Sequence, residues 1–300
     1  MRIHYKIYFT LLVCLLIQTT KGLAQASTDL WVMDVEGKGG KIKLLTATAK
    51  PLTNRPEYDN QPSFINDSEL IFSAADAKGN NDLILYSFRT QKFTNLTQSP
   101  DRSEFSPSLT ECGSYFSAIV VEPDGTQRLW LYPVTGEAPE LLYDDIFPVG
   151  YYDFYDGKAA LFVLGEPNSL LYVRGKGMVD TLDTDIGRTV RKRPTTPEIS
   201  YLDRKKSQET SQGKAFGIAT VNLKTGVKKE YGYAIPGSQD FIWLDKNHLL
   251  MAKGNEVFTK HIQESDWHSL GKIESSSHQG ITRLSYSPEL NKIILVLNRK

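Results

Sequence analysis

The sequence predicts an all-β protein, a six-bladed β-propeller made of four-stranded antiparallel blades. Three observations support this. Short alternating strands fill the chain after residue 26, they recur with a period of about 44 residues, and incomplete repeats stand at both ends. A propeller blade contains four strands, and its innermost strand lines a central channel. A β-sandwich or two stacked sheets are the alternatives, but neither explains a regular period.

Each predicted blade combines two strand pairs. The outer pair begins with a strand rich in Leu, Trp and Tyr, and a polar turn then leads to a second short strand, as in a β-hairpin. The inner pair comes first, with an extended segment, a turn containing Pro, Gly, Asn or Asp, and a strongly apolar strand. Copies of the inner pair occupy 62–72, 108–120, 153–163, 190–202, 241–251 and 284–296.

The period follows from equivalent positions in the inner pairs. These positions are Phe64, Leu109, Phe154, Lys192, Trp243 and Tyr286, and they are 38 to 51 residues apart. The last repeat has only two strands, and the segment after residue 26 begins with the two that it lacks, 29–35 and 42–45. We expect these strands to pair and close the ring as a sixth blade, which removes open sheet edges. Seven blades is the alternative count.

The first 26 residues have the pattern of a secretory signal peptide. Arg2 and Lys6 are basic, 7–17 is an apolar run, and 24–26 offers small residues for cleavage. A membrane anchor is the alternative, but crossing a bilayer takes roughly 20 apolar residues. We therefore expect a periplasmic or secreted protein, with 27–300 as a single domain and no transmembrane segment after cleavage.

Composition excludes several classes of protein. A chain of 300 residues with 40% hydrophobic side chains can bury a full core. Its 35 basic and 35 acidic residues balance, so it has no electrostatic footprint for nucleic acid. Its two cysteines, Cys14 and Cys112, cannot form a disulfide framework.

Several blades share a more specific pattern. Asp-Leu-Trp-Val-Met-Asp-Val stands at 29–35, Arg-Leu-Trp-Leu-Tyr at 128–132 and Asn-Leu-Thr at 95–97. This pattern resembles the WD-like repeat of the TolB-like β-propellers, over nearly all of 27–300. The resemblance implies periplasmic protein binding, although similar blades also occur in oligopeptidases and in sugar-processing enzymes. The chain departs from the pattern at 192–195, where Lys-Arg-Pro-Thr replaces an aromatic Ser-Pro-Asp-Gly turn.

No recognised catalytic motif is present. The Gly-x-Ser-x-Gly elbow of α/β-hydrolases is missing, and no two histidines have metal-ligand spacing on one strand. We therefore assign no catalytic residue and no metal ligand. The loops that enter the inner strands should instead form a polar ring at the channel mouth, where propellers commonly bind ligands. The predicted binding residues are Asp59, Asp101, Arg102, Glu104, Tyr151, Tyr152, Arg188, Asp240 and His278.

Two functions stay open at this stage. The first is a non-catalytic scaffold that binds an envelope or secreted protein, or a polysaccharide or peptidoglycan-associated partner, through its loop-rich face. The second is a small-molecule enzyme, a sugar lyase or lactonase, that uses carboxylates and His278. For the first we expect a monomer without cofactor, and for the second a divalent cation at the channel mouth, because neutral imidazole and carboxylates can hold one.

Overall fold

The computed structural model describes residues 26–300 and confirms a ring of six antiparallel sheets. The predicted signal segment lies outside the described residues except for Ala26. The described chain begins with β1 (Thr28–Glu36), β2 (Lys43–Leu44) and β3 (Lys50–Pro51), and 3₁₀ turns span Gly39–Lys41 and Thr46–Thr48. Within 26–300, no helix is long and apolar enough to cross a bilayer.

Five blades are each formed by four consecutive strands, from the channel outward. Blade 1 contains β4 (Asp59–Phe64), β5 (Glu69–Ala75), β6 (Asn81–Ser87) and β7 (Lys92–Asn95). Blade 2 contains β8 (Ser103–Leu109), β9 (Tyr115–Val121), β10 (Gln127–Pro133) and β11 (Glu140–Leu141). Blade 3 contains β12 (Val149–Tyr155), β13 (Lys158–Val163), β14 (Ser169–Gly175) and β15 (Met178–Thr184).

The remaining strands complete the ring. Blade 4 contains β16 (Ile186–Lys192), β17 (Glu198–Thr210), β18 (Gly213–Asn222) and β19 (Lys228–Tyr233). Blade 5 contains β20 (Phe241–Trp243), β21 (His248–Lys253), β22 (Glu256–His261) and β23 (His268–Lys272). Blade 6 begins with β24 (His278–Ser287) and β25 (Lys292–Arg299).

Blade 6 is completed by the start of the described chain, as predicted. Strand β1 pairs antiparallel with β25 from Thr28↔Asn298 to Asp34↔Lys292, and β2 and β3 pair with the other edge of β1. The chain therefore closes its own ring, because the main-chain groups on both edges of β1 are paired. The predicted equivalence of the inner strands is also confirmed, since Phe64, Leu109 and Trp243 each end one.

The hydrophobic core lies between adjacent blades. Alternating side chains on each sheet face the next sheet, so each strand contributes to two interfaces. Between blades 5 and 6, for example, Met33, Leu250 and Leu295 are fully buried in one cluster. This packing holds six inner strands around the axis and fixes what their side chains can reach.

The two ends of the channel have different connections. Loops that enter the inner strands, and loops between second and third strands, lie at one end, which we call the mouth face. The turns that leave the inner strands lie at the opposite face. At the mouth face of blade 4, the polar segment 203–214 forms a β-hairpin, because β17 and β18 remain paired as far as Thr210↔Gly213.

Candidate functional site

The central channel contains two cavities, one above the other. The first, the upper pocket, has a volume of about 360 Å³ and opens at the mouth face between blades 4, 5 and 6. The second, the lower chamber, has a volume of about 290 Å³ and is lined by the inner strands of all six blades. The lower chamber lies toward the opposite face, because its lining residues come from the second halves of these strands.

Arg283, on β24, lines both cavities. Its side chain is buried, and its Nη2 donates a hydrogen bond of 2.8 Å to the Tyr151 hydroxyl. The guanidinium carbon lies 5.2 Å from the centre of the Tyr151 ring, within cation–π range. On its other side, Nη1 is 3.9 Å from Asp240 Oδ1. Arg283 is therefore held in place at the level where the two cavities meet.

Two further arginines lie on one inner strand, β16. Arg188 lines the upper pocket and Arg191 lines the lower chamber. The Nε atoms of both are buried, and neither side chain has a hydrogen bond or ion pair with any residue in 26–300. Both side chains are half-buried, and a cation that gives up part of its water without gaining a counter-charge is destabilised. These two side chains are thus the clearest unpaired charges of the channel.

The acidic groups of the channel do not neutralise these arginines. Asp240 Oδ1 accepts a weak 3.4 Å hydrogen bond from the Thr189 hydroxyl, and Oδ2 is buried without a partner among the described residues. The Asp153 carboxylate accepts 2.7 Å hydrogen bonds from the backbone N–H groups of Phe154 and Lys192. Burial nevertheless raises the pKa of Asp153, and the two hydrogen bonds and nearby Arg191 only partly offset it. Asp153 forms no direct hydrogen bond or ion pair with Arg188 or Arg191.

Tyr58 provides a neutral hydroxyl beside these charges. Burial raises the pKa of Tyr58 to about 12, although the positive charges of Arg283 and Arg188 act in the opposite direction. Its phenol therefore stays protonated at neutral pH. A protonated phenol can donate a hydrogen bond to an anion that the arginines attract.

Three of the predicted binding residues meet around Arg283. They are Tyr151, Arg188 and Asp240, from blades 3, 4 and 5. Tyr152, next along β12, lines the lower chamber but points its hydroxyl into a buried network, donating to the Ser106 carbonyl at 2.8 Å. Burial raises the pKa of this phenol as well.

Asp59 and Glu104 are buried in structural contacts instead. Asp59 accepts two hydrogen bonds from Arg55 Nε, at 2.9 and 3.0 Å. Glu104 accepts hydrogen bonds from the Tyr132 and Thr97 hydroxyls at 3.1 and 3.3 Å. Burial raises the pKa of both carboxyl groups, and their partners offset only part of this. Neither side chain faces the two channel cavities.

His278, the residue on which the enzyme hypothesis depends, takes part in closing the ring. It is 2% exposed, and its Nε2 lies 2.6 Å from Asp29 Oδ2. The same Asp29 oxygen accepts a 2.6 Å hydrogen bond from Arg299 Nε. The three residues come from β24, β1 and β25, so the contact joins the two ends of the described chain. The structure does not bring His278 together with Arg188 or Asp240 in a cavity.

Asp101 and Arg102 lie on the surface beside blade 2. They form an ion pair of 3.2 Å, and the Arg102 guanidinium lies 5.6 Å from the centre of the Trp130 ring. Both line a separate surface groove between blades 1 and 2, away from the axis.

The sequence reasoning missed Arg191, Arg283 and Asp153. It looked for polar residues in the loops that enter the inner strands, whereas these three lie within the strands themselves. A usable indication was present. A charged residue is expensive to bury between two blades, so a charge within an inner strand is expected to face the channel. Within 26–300, no three His, Cys, Asp or Glu side chains are grouped closely enough to hold a metal ion.

Comparison with known proteins gives similarity in structure alone. No family model matches the sequence, and no curated protein matches it. Among solved structures, the chain is similar to a putative TolB from Agrobacterium tumefaciens, with 11% identity, a TM-score of 0.65 and coverage of 92% of this chain and 100% of that one. It is also similar to a chain of a nidogen/laminin complex, with 11% identity, a TM-score of 0.60 and coverage of 82% and 94%.

A third similar structure is an oligogalacturonate lyase from Vibrio parahaemolyticus, with 11% identity, a TM-score of 0.52 and coverage of 92% and 98%. At such identities the comparisons establish the fold and nothing about ligands. The chain therefore has a TolB-like β-propeller fold, and the oligogalacturonate lyase has a similar fold.

Proposed function

We propose that this protein is a periplasmic or secreted, non-catalytic binding protein that recognises an envelope or secreted protein at its mouth face. The observation that supports this most is Arg188 in the upper pocket, a half-buried cation without a hydrogen bond or ion pair to any residue in 26–300. An unpaired charge in an open cavity is stabilised when a ligand of opposite charge arrives.

The charge of the upper pocket favours an acidic group on the partner. Arg188, Lys253 and Arg283 line it, and Asp240 is the acidic residue among the lining side chains. Lys253 Nζ donates a 2.8 Å hydrogen bond to the Gln212 side chain, which is neutral, so its charge also remains available.

The hairpin of β17 and β18 favours a protein over a polysaccharide. Beyond Asp203, where its pairing with β16 stops, β17 pairs with β18 alone among the described strands. Residues 204–209 are exposed along this free edge. An extended peptide can pair with such an edge through main-chain hydrogen bonds. The hairpin tip reaches the upper pocket, since Gln212 lines it.

Affinity capture from an envelope extract tests the proposal. Wild type and the Arg188→Gln/Lys253→Gln variant serve as baits. The matched control is Arg89→Gln, because Arg89 is exposed at the opposite face, where it forms a 3.7 Å ion pair with Asp67. We expect a specific protein whose recovery falls at least tenfold with the double variant and is unchanged with the control.

Three results would contradict the proposal. The first is a captured partner that both variants retain equally. The second is a captured polysaccharide or peptidoglycan fragment in place of a protein. The third is turnover of lactones or acidic sugars, with or without a divalent cation, that depends on Arg188, because it would favour the enzyme alternative. Variants of Asp59 or His278 are unsuitable probes, because both side chains are buried in structural contacts.

A further inference from the structure

The lower chamber has an unpaired cation of its own, which binding at the mouth face does not use. Arg191 is the second-last residue of β16, and the two basic residues that follow it are both paired. Lys192 contacts Glu111, and Arg193 Nη1 lies 2.6 Å from Glu198 Oε2. Arg191 has no hydrogen bond or ion pair within 26–300, and its Nε is buried. The fold therefore supplies anionic partners for the two basic residues that follow Arg191, but no hydrogen-bond or ion-pair partner for Arg191 itself within 26–300.

A second guanidinium bounds the same chamber. Arg283 is 9% exposed and fixed by Tyr151, and its nearest carboxylate, Asp240, is 3.9 Å away and outside the chamber lining. The acidic residue that does line the chamber, Asp153, accepts hydrogen bonds from two backbone N–H groups and forms no ion pair with either guanidinium. Two arginines and Lys192 thus line this cavity with a single carboxylate.

The other walls offer ring surfaces and hydroxyl groups. The lining includes the aromatic side chains Phe64, Tyr151, Trp243 and Tyr286, and the serines Ser63, Ser106 and Ser285. Aromatic walls with a few polar groups are typical of sites that bind small molecules. A volume of about 290 Å³ suits a small ligand and excludes a folded segment of a partner.

We propose that the lower chamber is a binding site for a small organic carboxylate. Its carboxylate pairs with the Arg191 guanidinium, whose planar N–H groups match the geometry of a carboxylate, and Arg283 adds a second positive charge. The body of the ligand lies against the aromatic walls. The chamber lies toward the opposite face, and the site does not depend on the protein partner proposed above.

Isothermal titration of the full chain at low ionic strength tests this site with two pairs of probes. D-glucuronate is compared with D-glucose, and N-acetyl-L-phenylalanine with its neutral amide. Each pair differs in the carboxylate, so the comparison isolates the charge. The two arms distinguish a sugar acid from an acylated amino acid as the source of the carboxylate.

We expect one or both acids to bind, each at least tenfold more tightly than its neutral partner. Arg191→Gln should lower that affinity at least tenfold. Arg191→Lys should lower it by less, because lysine keeps the charge but loses the planar pairing. Arg89→Gln at the surface should bind as wild type does, and thermal melting verifies that each variant is folded.

Three results would overturn the site. The first is that neither acid binds at millimolar concentration. The second is that an acid and its neutral partner bind equally. The third is that Arg191→Gln binds the acid as tightly as wild type does. Loss of the envelope partner in the capture experiment would leave these titrations unaffected, so the two proposals fail separately.

Discussion

The ring closure and the central channel both contain charged side chains that are at least partly buried, and they differ in whether those charges are paired. At the ring closure, Asp29 is fully buried and contacts His278 and Arg299 at 2.6 Å each. In the channel, Arg188 and Arg191 have no such partner within 26–300. Paired buried charges are expensive to break, whereas unpaired ones destabilise the fold unless a ligand compensates. We therefore assign the first region to stability and propose the second for binding.

The largest effect is expected at the ring closure. Asp29→Ala leaves a buried histidine and a partly exposed arginine without their carboxylate, and breaking a buried ion pair costs about 3–5 kcal/mol. We expect the free energy of unfolding, measured with urea, to fall by that amount. The control is Asp34→Ala on the same strand, whose ion pair with Lys292 is half exposed, so it should cost about 0–1 kcal/mol. Equal losses in both variants would contradict the structural role of Asp29.

A smaller effect is expected at Asp183, on β15 of blade 3. Its partners lie in blade 4, the blade that carries the unpaired arginines. Burial alone would raise the pKa of Asp183, but hydrogen bonds from Lys205, Lys228 and Tyr201 outweigh it and hold the pKa well below its ordinary value. A carboxyl whose pKa is lowered by folding stabilises the protein above its unfolded pKa, and the contribution disappears as pH falls toward the folded pKa.

Asp183→Asn should therefore cost about 1–3 kcal/mol at pH 7, because it weakens hydrogen bonds to a charged group. The difference in unfolding free energy from wild type should hold down to about pH 4 and narrow below it. Urea titrations of both proteins between pH 2 and pH 8 measure this. A difference that widens in acid would contradict the assigned pairing.

Exposed ion pairs should matter least. Arg174 and Asp180 pair on the outer strands of blade 3, and each side chain is more than two-fifths exposed. Arg174→Gln should change the unfolding free energy by less than about 1 kcal/mol, because water screens such pairs. A larger loss of unfolding free energy in the urea titration would show that exposed ion pairs also stabilise the blades. The distinction between exposed pairs and the buried pairs of the ring closure would then be contradicted.

The fold could be predicted from the sequence because each blade repeats the same pattern of strands and turns. The spacing of Phe64, Leu109 and Trp243 shows the repeat, and the strand patterns at the two ends identify the closing blade. The channel site was less accessible, because a motif search cannot tell whether a side chain is paired. The sequence predicts His278, Asp59 and Arg188 alike, as polar residues where the chain enters an inner strand. The partners of the first two, Asp29 and Arg55, come from blade 6 and its connection to blade 1. Such partners become visible only when the ring is assembled.

The most direct test of the contrast is the stability of the double variant Arg188→Gln/Arg191→Gln, measured by urea unfolding without added ligand at low ionic strength. Because neither guanidinium has a partner in the described chain, the account predicts a free energy of unfolding equal to or higher than that of wild type. A loss of more than about 1 kcal/mol, the net worth of a typical hydrogen bond, would show that the two arginines stabilise the fold. That result would contradict their assignment to binding.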